Sequence, residues 1–154
     1  MDNLYRVLFL IGLAAGSVFS QTTFYSQNFE GTVDMTASGG GWEFGVPTYA
    51  SGPTVPEGSK CAGTILNGPY VNSANYILTS PSITLPDSSL INLSFYEWYA
   101  LESCCDYIYL EIEKNGSGTW NSLRAGLYGS NASWNLNFLI SVLTKTQIFD
   151  FDLD

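Results

Sequence analysis

The chain of 154 residues contains no histidine. That absence removes the commonest general base, the usual zinc ligand and every catalytic triad that relies on an imidazole. Basic residues are nearly as scarce: five Lys and Arg stand against fourteen Asp and Glu, for a formal net charge of −9. Such a surface repels a phosphate backbone, which argues against nucleic acid as a partner. Cysteine is confined to Cys61, Cys104 and Cys105. Without an imidazole to activate it, a cysteine nucleophile has little support. After Val18 there is no further long apolar run, so no stable membrane span is expected once the N-terminal segment is removed.

That N-terminal segment reads as a signal peptide over residues 1–20. Arg6 supplies the positive end, and the run from Val7 to Val18 is too short to span a bilayer comfortably. Val18-Phe19-Ser20 places small residues where cleavage before Gln21 would need them. The expected destination is secretion or the cell surface. The remainder, 21–154, has the length of a single domain. It is rich in Gly, Ser, Thr, Asn, Tyr and Phe, a balance that suits strands and turns rather than helices.

Strands are read from period-two alternation. Ile91, Leu93, Phe95, Glu97 and Tyr99 fall on one face of a strand, with Asn92, Ser94, Tyr96 and Trp98 on the other. Asp106, Ile108, Leu110 and Ile112 share a face of the next strand, opposite Tyr107, Tyr109, Glu111 and Glu113. Lys114-Asn115-Gly116-Ser117-Gly118 then signals a turn. Shorter strands are expected over Thr22 to Glu30, Lys60 to Leu66, Asn75 to Thr79 and Gln147 to Leu153, while Trp42 to Pro47 reads as a short aromatic segment closed by Pro. Leu136 to Val142 is ambiguous between a helical turn and a strand. Many short strands separated by Gly and Pro turns predict an all-β fold, a two-sheet antiparallel β-sandwich.

An exported chain is expected to form a disulfide, and the odd count leaves one thiol over. A bridge from Cys61 to Cys104 or Cys105 is favoured over a vicinal Cys104–Cys105 bond, which is geometrically constrained. Asp106 has core-side parity at a strand entrance, where a bare carboxylate is costly, so pairing or a metal is expected. Glu102 lies close by in the same connector. Ca²⁺, which takes oxygen ligands, is the expected cofactor. Trp42, Trp98, Tyr99, Trp120, Tyr107 and Tyr109 are flat surfaces on which a sugar could stack. Tyr107, Tyr109, Glu111 and Glu113 form an outward row, so Trp42, Tyr107, Tyr109, Glu111 and Trp120 are the candidate ligand-binding set. Glu111 and Glu113 also have the spacing of an inverting glycosidase pair, although two exposed acids is the better account. Asn92, Asn115 and Asn131 lie in N-x-[ST] sequons.

Several motifs occur in a suggestive order. They are W-x-F-G-x-P (Trp42 to Pro47), C-A-G-T-x-L-x-G-x-Y (Cys61 to Tyr70), A-N-Y-x-L-x-S-P-x-I-x-L-P (Ala74 to Pro86), L-x-F-x-x-W-Y-x-x-E-x-x-x-D (Leu93 to Asp106) and N-G-x-x-x-W (Asn115 to Trp120). Together they resemble the MAM-related jelly-roll module of immune-inhibitor-A-type secreted metallopeptidases, and the cleaved-adhesin and choice-of-anchor J modules of bacterial surface proteins. The resemblance spans roughly Phe24 to Asp154. It implies a jelly-roll topology, a non-catalytic role and bound Ca²⁺, with Glu30 as an N-terminal metal ligand beside Asp106 and Glu102. Two departures stand out: Glu97 occupies a position where the family commonly has His, and the family usually continues past a strand like Ile148 to Leu153 into a further acidic strand. The sandwich is therefore expected to lack its last strand. The function expected is a non-catalytic binding or adhesion module for an extracellular glycan or protein. The alternative is an accessory domain of a secreted peptidase, or a small jelly-roll glycan hydrolase.

Overall fold

The computed structural model describes residues 22–49, 52–86, 89–114, 116–143 and 147–153. The expected signal peptide and the Asn115 sequon lie outside them. Among the described residues there is no helix, and therefore none long and apolar enough to cross a membrane. The elements are β1 (Thr36–Ser38), β2 (Trp42–Gly45), β3 (Cys61–Thr64), β4 (Tyr76–Thr79), β5 (Ser89–Glu97), β6 (Ile108–Lys114), β7 (Trp120–Ser122), β8 (Asn135–Leu143) and β9 (Gln147–Leu153).

All pairings between these strands are antiparallel. A five-stranded sheet has the order β1-β4-β9-β6-β7, while β2-β3 and β5-β8 form two-stranded ladders. The chain changes sheet between β5 and β6 and again between β8 and β9, so these consecutive strands lie in different sheets. Such crossings between sheets are typical of sandwiches. The core shows how the layers meet. Ile112 of β6 packs with Ile91 of β5 and with Ile83 and Leu85, flanked by Tyr25, Leu93 and Leu123. One layer's inner face thus rests on the other's, which is the expected all-β sandwich.

Alternation sets which side chains go inward. In β5, Ile91 is buried, Leu93, Phe95 and Glu97 are half-buried, and Asn92, Ser94 and Tyr96 are exposed. In β4, Tyr76 and Leu78 are buried and the residues after each are half-buried. Leu110, in β6 between β9 and β7, is 0% exposed. The ambiguous segment around Leu136 is strand: β8 runs alongside all nine residues of β5, from Ser89↔Leu143 to Glu97↔Asn135. A partner ladder of that length decides what periodicity left open.

One expected strand is absent. Thr22 to Glu30 forms no ladder. Its side chains take up the local backbone donors instead: Phe29 N donates to Gln27 Oε1 at 2.8 Å and Glu30 N to Asn28 Oδ1 at 3.1 Å. Phe29 sits at φ 62°, in the left-handed region. Gln and Asn side chains that capture nearby N–H groups compete with strand pairing, and here they win. Tyr25 Oη and Gln27 Nε2 both donate to Asp34 Oδ1, at 2.8 and 3.1 Å, closing the segment on itself.

Candidate functional site

The connector between β5 and β6 is the most chemically unusual part of the chain. It holds Glu102, Cys104 and Cys105, all exposed, and the half-buried Asp106. Cys104 and Cys105 are joined to each other, and Cys61 is a free, buried thiol at the start of β3. The favoured bridge from Cys61 is therefore corrected. Cys61 faces Gly45 across the β2–β3 ribbon, whereas the pair lies in an exposed connector elsewhere in the fold. A disulfide requires Cα atoms within about 7 Å, a condition that spacing along the chain does not reveal. Burial raises the Cys61 thiol pKa, which keeps it protonated and unreactive.

Tyr70 ties this connector at both ends. Its hydroxyl donates to Asp106 Oδ2 and accepts from the Glu102 backbone N–H at 3.3 Å. Burial first, and the Asp106 hydrogen bond next, raise the Tyr70 pKa. The expectation that Asp106 needs a partner is met by a phenol. Beside it lies an open cavity of about 430 Å³ lined by Tyr70, Val71, Ser73, Ala74, Asn75, Cys105 and Asp106.

Glu30 is placed differently. Its Oε1 accepts from the backbone N–H of Ser59 at 2.6 Å and of Lys60 at 2.7 Å, and Ser59 Oγ lies 3.2 Å from Oε2. These two backbone donors lower its pKa. Gly58, at φ +69°, brings the loop against this carboxylate: a Cβ there would sit 2.4 Å from Oε1. Glu30 thus clamps a distant loop, and Asp106 serves the connector. Among the described residues, the group of Asp, Glu and Cys side chains with ligand atoms in mutual reach is Glu102, Cys104 and Cys105. The three acids expected to share a calcium ion are not gathered into one carboxylate cage, and Ca²⁺ takes six to eight oxygens.

The expected ligand-binding residues also separate. Tyr107 and Tyr109 come together, stacked with centroids 6.0 Å apart and planes at 28°. Tyr128 joins them edge-on to Tyr107 at 5.8 Å. The backbone bridge between Ile108 and Leu127, with N–H donors at 2.9 and 3.0 Å in the two directions, brings Tyr128 there. Gly126 leaves room for the rings, since a Cβ would lie 2.8 Å from Tyr109 Cε1. Tyr128 is 58% exposed, so the cluster opens to solvent. Glu111 shares the strand parity of Tyr109 and accepts from Ser122 Oγ at 3.2 Å. Trp42 instead donates its indole N–H to the Tyr76 carbonyl at 3.0 Å, anchoring the β2–β3 ribbon to β4. Trp120 is half-buried in β7, opposite Glu113.

Glu113 corrects the outward acidic row. It is only 8% exposed, and its Oε1 accepts from Gly118 N. The carboxylate closes the β6–β7 turn by taking up a backbone donor, so Glu111 and Glu113 do not form an exposed pair. Asn131 is likewise committed: its Oδ1 accepts from Tyr99 N at 2.8 Å and its Nδ2 donates to Glu97 O at 3.4 Å.

Glu97, the departure from the family pattern, has a partner that the sequence reading missed. Arg124 grips its carboxylate with both terminal nitrogens, Nη1 to Oε1 at 3.0 Å and Nη2 to Oε2. Asn137 Nδ2 adds a bond to Oε1 at 3.3 Å. The Arg124 and Glu97 side chains are 14% and 10% exposed, and the guanidinium carbon lies 5.6 Å from the centroid of the Phe95 ring. The scarcity of arginine was the available signal: Arg124 is one of two arginines in an acidic chain, and Arg6 falls in the expected signal peptide, which leaves Arg124 as a natural counter-charge for an inward glutamate.

No protein-family profile matches the chain. No solved structure matches it. It is 41% identical to Bacillopeptidase F of Bacillus subtilis (strain 168) over an alignment of 125 residues that covers 75% of the chain. The chain spans only 8% of that protein's length. The resemblance to a module found with peptidases is thus supported at its coarser level: this sandwich is similar to a small segment of a protein named as a peptidase.

Proposed function

We propose that the chain is an exported, non-catalytic accessory module that holds a glycan or protein surface for a peptidase or a cell-surface protein. The tyrosine face carries this proposal. Tyr107, Tyr109 and Tyr128 present rigid, amphipathic rings on a sheet surface, with the Glu111 carboxylate on the same side of β6. Aromatic rings of this kind bury a large contact area at low entropic cost and can still hydrogen-bond through their hydroxyls. The similarity to a small part of a peptidase supports an accessory role. The lack of histidine and the separate commitments of Glu111 and Glu113 support a non-catalytic one.

The test is a glycan array run beside immobilised casein, comparing the native chain with a Tyr107→Ala/Tyr128→Ala variant. Binding to either surface, weakened about tenfold or more in the variant, is the expected result. Equal binding by both proteins overturns the assignment to this face. A reducing-sugar assay on the same samples checks the non-catalytic part: sugar release that disappears in Glu111→Gln overturns it.

A further inference from the structure

The Cys104–Cys105 bond does little for stability. A disulfide stabilises mainly by restricting the unfolded chain, and the effect grows with the length of the closed loop. Here the bridged residues are adjacent in sequence, so almost no chain entropy is removed. Nor does the bond hold the connector in place. The Tyr70 hydroxyl contacts Asp106 on one side of the pair and Glu102 on the other, and Leu101 N donates to Gly129 O at 2.7 Å. Opening the bond therefore leaves both ends of the connector anchored. In the bonded state Glu102, Cys104 and Cys105 are exposed together, with two sulfurs and one carboxylate oxygen within 4.8 Å of one another.

We propose that this cluster is a redox-gated site for a thiophilic divalent cation, with Cys104, Cys105 and Glu102 as its protein ligands. The gate is the disulfide. A dithiol reductant transfers two electrons and two protons, the S–S bond becomes two thiols, and the reductant leaves as its own disulfide. The incoming cation displaces both thiol protons, since thiolate is the ligating form. Tetrahedral coordination at a Zn–S distance of about 2.3 Å holds two sulfurs roughly 3.8 Å apart. Rotation about the Cβ–Sγ bonds can reach this once the covalent bond is gone. Glu102 supplies a third ligand and water the fourth, an open arrangement that soft cations such as Cd²⁺ and Zn²⁺ accept. In the oxidised state neither sulfur is a thiolate, and the site is closed. Cys61, buried in β3, lies outside it.

The experiment uses Cd²⁺ alone as the probe, with isothermal titration and the thiolate-to-metal charge-transfer absorbance as readouts. The full chain is compared oxidised and after reduction by a dithiol that is then removed under anaerobic conditions. One equivalent of Cd²⁺ is expected to bind the reduced chain and none the oxidised chain. Cys61→Ala should retain this behaviour, Cys104→Ser and Cys105→Ser should each abolish it, and Glu102→Gln should weaken binding about tenfold or more. Equal binding by the oxidised and reduced chains overturns the gate. Loss in Cys61→Ala, or retention in a Cys104→Ser/Cys105→Ser variant, overturns the site. Unchanged affinity in Glu102→Gln removes that residue from the ligand set. A melting curve on the reduced, metal-free chain keeps failure to bind distinct from failure to fold.

Discussion

Glu97 and Arg124 form a largely dehydrated ion pair on the inner side of a sandwich, held by two direct hydrogen bonds and a third from Asn137. Removing one member of a buried pair leaves an uncompensated charge and costs about 3–5 kcal/mol. Arg124→Met should show a loss of that size in urea denaturation, while Glu97→Leu combined with Arg124→Met should recover part of it. Two single losses that simply add in the double variant would mean that the pair is not coupled. Glu30 makes a different prediction, because it is exposed and bonded to backbone donors. Its folded pKa lies below the ordinary 4.5. A depressed carboxylate contributes stability above its unfolded pKa and loses it as pH falls through the folded one. Native protein should therefore lose stability as pH drops below about 4.5, and Glu30→Gln should lower stability at pH 7 while flattening that acid limb. An unchanged acid limb in the variant would remove Glu30 from the account.

At the scale of elements, β6 is the strand on which most of the molecule depends. It pairs with β9 on one side and β7 on the other, supplies Leu110 and Ile112 to the interior, and starts immediately after Tyr107. Leu110→Ala should cost about 2–5 kcal/mol, the range for emptying a filled core position. A loss below about 1 kcal/mol would show that the layers can close over the gap. The strand itself was legible in the sequence, because backbone sterics put successive side chains on opposite faces whatever the partners are. Glu113 was misplaced by that same rule. Parity assigns a face, but the acceptor needed at the β6–β7 turn drew its carboxylate to Gly118 N. Thr22 to Glu30 was misread for a related reason, since the hydrogen bonds from its own side chains lie outside any hydrophobic pattern.

Viewed as a whole molecule, the chain is a sandwich whose candidate sites are the tyrosine face at β6 and the connector between β5 and β6. The Ca²⁺ expected from the sequence is tested at this scale, by melting the whole chain with the ion present and with it removed. A higher melting temperature in Ca²⁺ than in EDTA is the expected outcome for a calcium-stabilised sandwich, and equal melting rejects that part. By itself, the sequence determined the all-β class, the positions of β3 to β6 and β9 to within a few residues, and the pairing of Tyr107 with Tyr109 on one face. These follow from local rules: alternation, turn chemistry and composition act over a few residues and need no knowledge of neighbours. Only the tertiary structure decided that Cys104 bonds to Cys105, that Arg124 answers Glu97, that Tyr128 completes the aromatic face and that Tyr70 ties the connector. Apart from the vicinal bond, each of these contacts joins residues far apart in the chain. Even that bond is settled by where the fold leaves Cys61, because strand order rather than sequence separation sets which side chains come within reach.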